Sequence, residues 1–361
     1  MAKSKLTEQE QFFKHFRLFI KETGNGRRLK KDGKKIRGGT VDTYIYTYKL
    51  LERFCAEKNF ELKLTIVKKQ RQRELETLRK YWKKFYAEFT DYLYKDLDYY
   101  DNYVGLVIKS IRTFFNYLQE DKNMNVGLFH KSFYVPKEEI PIIALTPDQM
   151  TYLINNKNLN EILPEHLHRI KDMFVFGCTV CVRVSDLLTI KHQNIVTENT
   201  ASYLRLYSQK TNTFTSVKLP SYAIEIAERY KSRRATVFPP ISDARFNIAL
   251  KEMGRFLNYN EPIIKTREKR GVKCIIYKDP LKKTHHTLAD LLTTHTMRRT
   301  GITTMLRLGM PDYLVRKVSG HSANSKEFFR YVQLAQNFLD EKTDEVFGKL
   351  RNAETESAVY A

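Results

Sequence analysis

His295-Thr296-Met297-Arg298-Arg299-Thr300, then Gly309-Met310-Pro311, then Ser319-Gly320-His321, and then Tyr331 follow one another near the C-terminal end of this 361-residue chain. Upstream, Gly177-Cys178-Thr179-Val180-Cys181-Val182-Arg183-Val184-Ser185-Asp186-Leu187-Leu188 places an arginine and an aspartate after a run of small and apolar residues. Between the two groups, Ser208-Gln209-Lys210-Thr211 interrupts an alternating run that extends from Tyr203 to Leu219. The alternation predicts strands, and the interruption predicts a turn with Lys210 on it.

The surroundings are strongly basic. The formal net charge is +22, with Lys and Arg spread along the whole length. A polyanion is the natural partner, and binding to nucleic acid should weaken with salt at a log–log slope of roughly −0.9 per phosphate contacted. No apolar run approaches the roughly 18 residues needed to span a bilayer, and Met1 opens no signal peptide, so a cytoplasmic, nucleoid-associated protein is expected. Cys55, Cys178, Cys181 and Cys274 are too few and too scattered for a disulfide framework. Cys178 and Cys181 form a lone C-x-x-C, which lacks the four donors of a zinc site and reads better as two buried helix residues.

Toward the N-terminus, Phe12, Phe13, Phe16, Phe19 and Ile20 recur at helical spacing over Glu8 to Glu22 and stop at Gly24. A glycine-punctuated basic loop follows, with Arg27, Arg28, Lys30, Lys31, Lys34, Lys35 and Arg37 as candidate DNA contacts. Thr40 can cap a helix toward Cys55 that carries Tyr44, Tyr48, Leu51 and Cys55 along one face. Two further helices are predicted over Arg73 to Leu97 and Tyr103 to Gln119. Their stripes, Tyr81, Phe85, Phe89 and Tyr92, then Val107, Ile111, Phe114 and Leu118, read as core rather than base-stacking platforms.

Periodicity lapses from Asp121 to Ala144, where Pro136 and Pro141 interrupt an extended linker. Thr146-Pro147-Asp148 then announces a new helix by its cap, its first-turn proline and its acidic residue. The expected organisation is a helical domain over 1–122, a linker over 123–145, a mixed domain over 146–350 and a tail over 351–361. The second domain is expected to be mostly helical with one small sheet. A further hairpin is expected around Ile263 to Tyr277, turning through Lys269-Arg270-Gly271.

The ordered set resembles the tyrosine recombinase, or phage integrase, family. In that family H-x-x-R, a Leu/Val-x-Gly-His turn and a tyrosine about nine or ten residues later follow a first box with an arginine and Ser-Asp/Glu-Leu. The resemblance covers about Thr146 to Leu350, and the Arg299-Thr300-Gly301 neighbourhood is most similar to integrases of Bacteroidetes-type mobile elements. It implies a C-shaped DNA clamp, with a helical core-binding domain and a mixed α+β catalytic domain. It also implies strand cleavage and rejoining through a 3′-phosphotyrosine, with neither ATP nor metal.

The roles it implies are chemically coherent. Arg183 and Arg298 would fork onto the non-bridging phosphate oxygens. Lys210 would protonate the departing 5′ oxygen, His295 would assist proton transfer, His321 would hydrogen-bond the phosphate, and Asp186 would orient neighbouring cations. Tyr331 would be the nucleophile; Tyr313 and Tyr360 match nothing in the pattern. Its ten-residue separation from His321 is slightly longer than the common interval. A terminal helix over Leu334 to Leu350, with Phe338, Leu339, Val346, Phe347 and Leu350, would dock on a neighbouring subunit of a homo-tetramer on paired sites. An accessory DNA-bending protein and the target sequence stay open. The alternatives are a type IB-like topoisomerase or resolvase, and a DNA-binding protein that does not cut.

Overall fold

The computed structural model describes residues 6–65, 72–209, 213–231 and 235–357; beyond Gln336 only the side chains of 340, 343, 344 and 346–348 are included. The chain separates into two compact units. Residues 1–140 with 266–276 form the first, and residues 141–265 with 277–361 form the second.

The first unit is built on α1 (Glu8–Gly24), α2 (Gly38–Lys58), α3 (Gln72–Asp91) and α4 (Asp101–Glu120). A single π turn, Tyr92–Asp96, extends α3. Thr7 starts α1 through a reciprocal capping box with Glu10, which satisfies two of the orphan N–H groups of the first turn. The predicted cap of α2 is displaced. Arg37 occupies that position without a side-chain bond, and Thr40 lies inside the helix because Gly38 and Gly39 already take helical geometry. The aromatic stripes are core: Phe16, Phe19, Phe54, Phe89, Tyr92 and Phe114 are buried in one cluster. Offset and edge-on ring pairs such as Phe12 with Phe114 and Phe54 with Phe89 each add about 0.5–1.5 kcal/mol beyond area burial.

The stretch after Asp121 contributes to this core as well. Val126 and Phe133 are buried in it, and Glu138 is almost fully buried. The glutamate's partner comes from much later in the chain. A hairpin of β5 (Lys265–Lys269) and β6 (Val272–Ile276) turns at Arg270 and Gly271, both at positive φ, the geometry that matches strand twist in a two-residue turn. Arg267 donates Nε and Nη2 to Glu138 Oε1 at 2.9 and 2.6 Å, and the Glu268 N–H donates to Oε2 at 2.6 Å. Asp101 receives the N–H groups of Arg270 and Gly271, each at 2.8 Å, and so closes the hairpin turn onto the first turn of α4.

In the second unit, α5 (Pro147–Asn155), α6 (Leu159–Ile162), α7 (Glu165–Val180) and α8 (Val184–Leu187) lead into a sheet of β1 (Ile195–Glu198), β2 (Ala201–Tyr207) and β3 (Phe214–Leu219). The capping box expected at Thr146 forms, with Gln149 as its reciprocal partner. The sheet is antiparallel in the order β1-β2-β3, and Leu204 pairs with Val217 across its buried face. Helices α9 (Ser221–Arg229) and α10 (Asp243–Phe256) follow. Strand β4 (Pro262–Ile263) pairs with β7 (His286–Thr287), and α11 (Leu288–Leu291), α12 (Thr294–Arg307), α13 (Asp312–Ser319) and α14 (Lys326–Ser357) complete the unit. The expected small sheet is the three-stranded β1-β2-β3 and the expected hairpin is β5-β6; among the described residues a short pairing of β4 with β7 adds to them.

Helix α7 lies at the centre of this unit, buried over most of its surface between α12, α10 and α9. Two glycines set its approach to α12. A Cβ at Gly177 would collide with the Met297 thioether, and one at Gly301 would collide with the Cys178 carbonyl. No helix among the described residues is long and apolar enough to cross a membrane.

Candidate active site

The site forms where several element ends of the second unit meet. Helix α7 ends at Cys181, which caps it in the left-handed conformation at φ 53°. The chain then runs extended into Arg183, the N-cap of α8. Helix α13 ends similarly at Gly320, whose φ of 63° suits a residue without a Cβ, and His321 follows directly.

Arg298 joins these two helix ends. Its Nη1 donates to the Cys181 carbonyl at 2.6 Å and its Nη2 to the Ser319 carbonyl at 2.5 Å. Terminal carbonyls lack intrahelical donors and carry the negative end of the helix dipole, so a cation is the natural partner for both. The guanidinium is 6% exposed, and burial followed by the nearby charge of Arg183 lowers its affinity for its proton. It nonetheless stays charged at neutral pH, because arginine starts so far above that range.

Asp186 organises the other arginine. Its Oδ2 accepts from Ser208 Oγ at 2.9 Å and its Oδ1 from the Gln209 N–H at 2.9 Å, and Arg183 Nη1 donates to the same Ser208 hydroxyl at 3.2 Å. The buried carboxylate therefore pins the end of β2 and orients Arg183 through an intervening serine. Lys210, the next residue but one after Ser208, lies outside the described residues, as do Thr211 and Asn212.

His321 is held between Ser319 and Arg298. Ser319 Oγ lies 2.8 Å from its Nδ1 and donates its own proton to the Val315 carbonyl at 2.7 Å. Burial, with help from Arg298, Arg183 and Arg316, pushes the pKa of His321 down to about 4.

Tyr331, on α14, is 4% exposed in an apolar cluster with Cys181, Ile302, Leu306, Val315 and Phe328. Its ring lies 6.2 Å from that of His321. Burial raises its pKa; the charges of Arg299 and Arg298 pull the other way, while Glu327 adds to the rise.

The structure thus brings Arg183, Asp186, Arg298, His321 and Tyr331 together. His295 lies one turn before Arg298 on α12, with an exposed side chain. Sequence reading gave no role to Ser208, Ser319 or Arg299. Ser208 and Ser319 were visible as immediate neighbours of the quoted motifs, and Arg299 as the second of two consecutive arginines, but their contacts depend on tertiary packing. Cys178 and Cys181 are both buried, and burial raises both thiols, that of Cys181 to about 12. Among the described residues no group of three or more His, Cys, Asp or Glu converges as a metal cage would.

The basic loop before α2 is in the first unit. Lys30 and Lys34 face each other across a tight turn at Gly33, and Arg27, Lys30, Lys31, Lys34, Lys35 and Arg37 are exposed. Arg28 differs: it packs over the Phe19 ring at 5.1 Å and pairs with Asp121 at 3.5 Å.

The model of the phage integrase family matches residues 144–337, just over half of the chain. The chain belongs to the phage integrase family. This family member is accordingly a site-specific DNA recombinase, of the tyrosine-type class that breaks and rejoins DNA strands. No curated protein matches its sequence. Its fold is shared with solved structures at low identity. A XerH site-specific recombinase bound to palindromic difH substrate is 12% identical with a TM-score of 0.56, covering 95% of this chain and 98% of that one. A lambda integrase dimer bound to a COC′ core site is 13% identical with a TM-score of 0.53, over 88% and 76%. The Tn1549 transposon integrase in complex with circular intermediate DNA is 13% identical with a TM-score of 0.52, over 88% and 94%. At such identities these likenesses speak for the fold.

Proposed function

We propose that this recombinase exchanges strands between two duplex sites through a covalent 3′-phosphotyrosine at Tyr331, and so integrates or excises a mobile element. The observation that carries this reading is the convergence of two arginines, a histidine and a nearly buried tyrosine at the helix ends of the second unit. The groups come from α8, α12, the turn after α13 and α14, and nothing in local structure requires that they meet.

In this reading Arg183 and Arg298 neutralise the non-bridging oxygens of the scissile phosphate as negative charge grows in the pentavalent transition state. The Tyr331 hydroxyl oxygen attacks phosphorus and gives up its proton, with His295 assisting the transfer. The 5′ oxygen departs with a proton supplied by Lys210, leaving a 3′-phosphotyrosyl bond and a free 5′ hydroxyl. Attack by the 5′ hydroxyl of the second duplex reverses the step. Asp186 acts through Ser208 and Gln209 as a positioning residue, and His321 hydrogen-bonds the phosphate.

The first unit, with its exposed basic loop, is assigned as the core-binding domain. A homo-tetramer on paired sites is the assembly that couples the four cleavages, with a DNA-bending accessory protein where the sites require it. The test is incubation of wild type and Tyr331→Phe with nicked duplexes from the element's ends, in EDTA. An SDS-resistant 3′-linked adduct from wild type alone is the expected result. Tight binding without an adduct from either protein would overturn the cutting reading, and relaxation of any supercoiled plasmid by a monomer would replace recombination with topoisomerase activity.

A further inference from the structure

Arg298 and His321 come from different elements, yet one residue touches both. The Ser319 main-chain carbonyl accepts from Arg298 Nη2 at 2.5 Å, and the Ser319 hydroxyl lies 2.8 Å from His321 Nδ1. Ser319 ends α13 and is almost fully buried, and its Oγ is tied back to the Val315 carbonyl of the same helix at 2.7 Å, which fixes where the oxygen sits. Arg298 does not orient the imidazole in this way. Its Nη2 is 3.4 Å from Nδ1 and 3.5 Å from Nε2, too nearly equal to lie along either lone pair. The ring is half-buried and lines a cleft of about 520 Å³ with Gly320 and Arg316, so it is accessible to a substrate oxygen.

A phosphate oxygen only accepts hydrogen bonds, so the ring nitrogen that meets it must carry a proton, and the bond at one imidazole nitrogen sets the state of the other. A hydroxyl satisfies Nδ1 in either charge state of the ring. It donates to Nδ1 of a neutral imidazole by turning its proton away from Val315, and it accepts from Nδ1–H of an imidazolium. In both cases Nε2 carries a proton. We propose that Ser319 is a positioning residue for strand cleavage, whose hydroxyl holds Nδ1 of His321 so that Nε2–H donates to a non-bridging phosphate oxygen, while its carbonyl keeps the Arg298 guanidinium beside the same phosphate. The proposal rests on the assignment of Arg298 and His321 to the phosphate and supplies what aligns them. One residue thereby sets the spacing of both donors.

The test is a double-mutant cycle on adduct formation with nicked duplexes carrying the element's ends. Ser319→Ala removes the hydroxyl and retains the carbonyl that holds Arg298. It is expected to slow the covalent step about 10- to 100-fold, the cost of a misplaced group, with affinity for the same duplex changed less than about threefold. Ser319→Thr, which keeps a hydroxyl, should restore most of the rate. In a His321→Ala background Ser319→Ala should slow cleavage by less than about a further threefold, because the hydroxyl then has no ring to hold. Losses that multiply across the two sites, or an unchanged rate in Ser319→Ala, would overturn the proposal, and a matching loss of DNA affinity would do the same by assigning the serine a structural role only. NMR of the ¹⁵N-histidine-labelled full chain, with inorganic phosphate as the probe, reads the ring without any target sequence. Nε2 of His321 should be protonated in wild type and in Ser319→Thr, and its resonance should move toward that of a tautomer mixture in Ser319→Ala. Identical ¹⁵N shifts in wild type and Ser319→Ala would overturn the proposal. Failure of wild type to form any adduct would instead count against Tyr331 as nucleophile, and the NMR comparison would still decide the role of Ser319.

Discussion

Gly301 on α12 lies directly against the main-chain carbonyl of Cys178 on α7, so close that a methyl group in place of its α-hydrogen would sit well inside van der Waals contact with the oxygen. The same Cβ would also strike the Cys181 sulfur. Because Arg298 precedes Gly301 by less than one turn and bonds the Cys181 carbonyl, helix separation at this point is coupled to the placement of the arginine. Gly301→Ala should cost about 1–3 kcal/mol by overpacking. It should also lower the rate of adduct formation on nicked DNA by at least tenfold. Denaturant unfolding and single-turnover cleavage check the two effects; wild-type cleavage in a destabilised protein would separate the glycine from the site.

Arg298 is tied down by carbonyls from two helix ends, a geometry that requires a planar fork. Arg298→Lys supplies a point charge with a different reach and cannot serve both oxygens at these distances. The expected outcome is a fall in cleavage of about 100-fold or more, together with a stability loss of roughly 1–3 kcal/mol from the carbonyl left without a donor. Parallel measurement of thermal unfolding and adduct yield distinguishes them. A lysine variant with wild-type stability would show that the carbonyl anchors contribute little.

Asp186 accepts from Ser208 and from the Gln209 N–H, and the same serine receives Arg183. Asparagine has the right shape but presents one donor where two acceptors are required. Asp186→Asn should therefore loosen the end of β2 and release Arg183, reducing cleavage about 10- to 100-fold while sparing site-specific binding. Hydrogen exchange across 205–209 should rise in the variant. Unchanged exchange with reduced cleavage would assign the carboxylate a direct electrostatic role.

His321 provides a pH signature. Its pKa falls from 6.5 to about 4 on folding, chiefly through burial and then through the arginines around it. The unfolded chain binds more protons between those values, so the contribution is fully present above about 6.5 and is lost as pH drops toward about 4. His321→Asn should flatten this part of the stability–pH curve. NMR titration of the imidazole reads the midpoint directly, and a value near 6.5 in the folded protein would count against the buried, neutral ring.

Glu138 anchors the β5–β6 hairpin in the first unit through Arg267 and the Glu268 N–H. Burial alone would raise its pKa, but these bonds outweigh it and the net direction is down. The resulting stability is present above the ordinary carboxylate range and is lost as pH falls below it. Glu138→Gln should remove about 2 kcal/mol and increase hydrogen exchange over 266–276, with Arg267, itself part-exposed, limiting the loss. Protection of the hairpin equal to wild type would show that Asp101 alone suffices to hold it.

Much of the local architecture was legible from residue patterns, for identifiable reasons. The apolar residues of α1, α3 and α4 recur at helical spacing, so their buried faces follow from the period itself. Thr146 with Gln149 and Arg270 with Gly271 encode a helix start and a hairpin turn within a few residues. Thr40 misled because two glycines take helical geometry at no visible sequence cost. The stretch after Asp121 lacks periodicity, yet Val126, Phe133 and Glu138 are buried, because their partners are not neighbours in sequence.

The sequence by itself determined the basic character, the order of the cationic groups around Tyr331 and the helices that present them. Each of those depends on composition or on contacts within a few residues. Only the tertiary structure decided what each group faces: Arg298 meets a carbonyl 117 residues away and Arg267 a carboxylate 129 residues away. Such pairings follow from which helix ends and charges are desolvated together when the chain packs, a quantity that no local pattern carries.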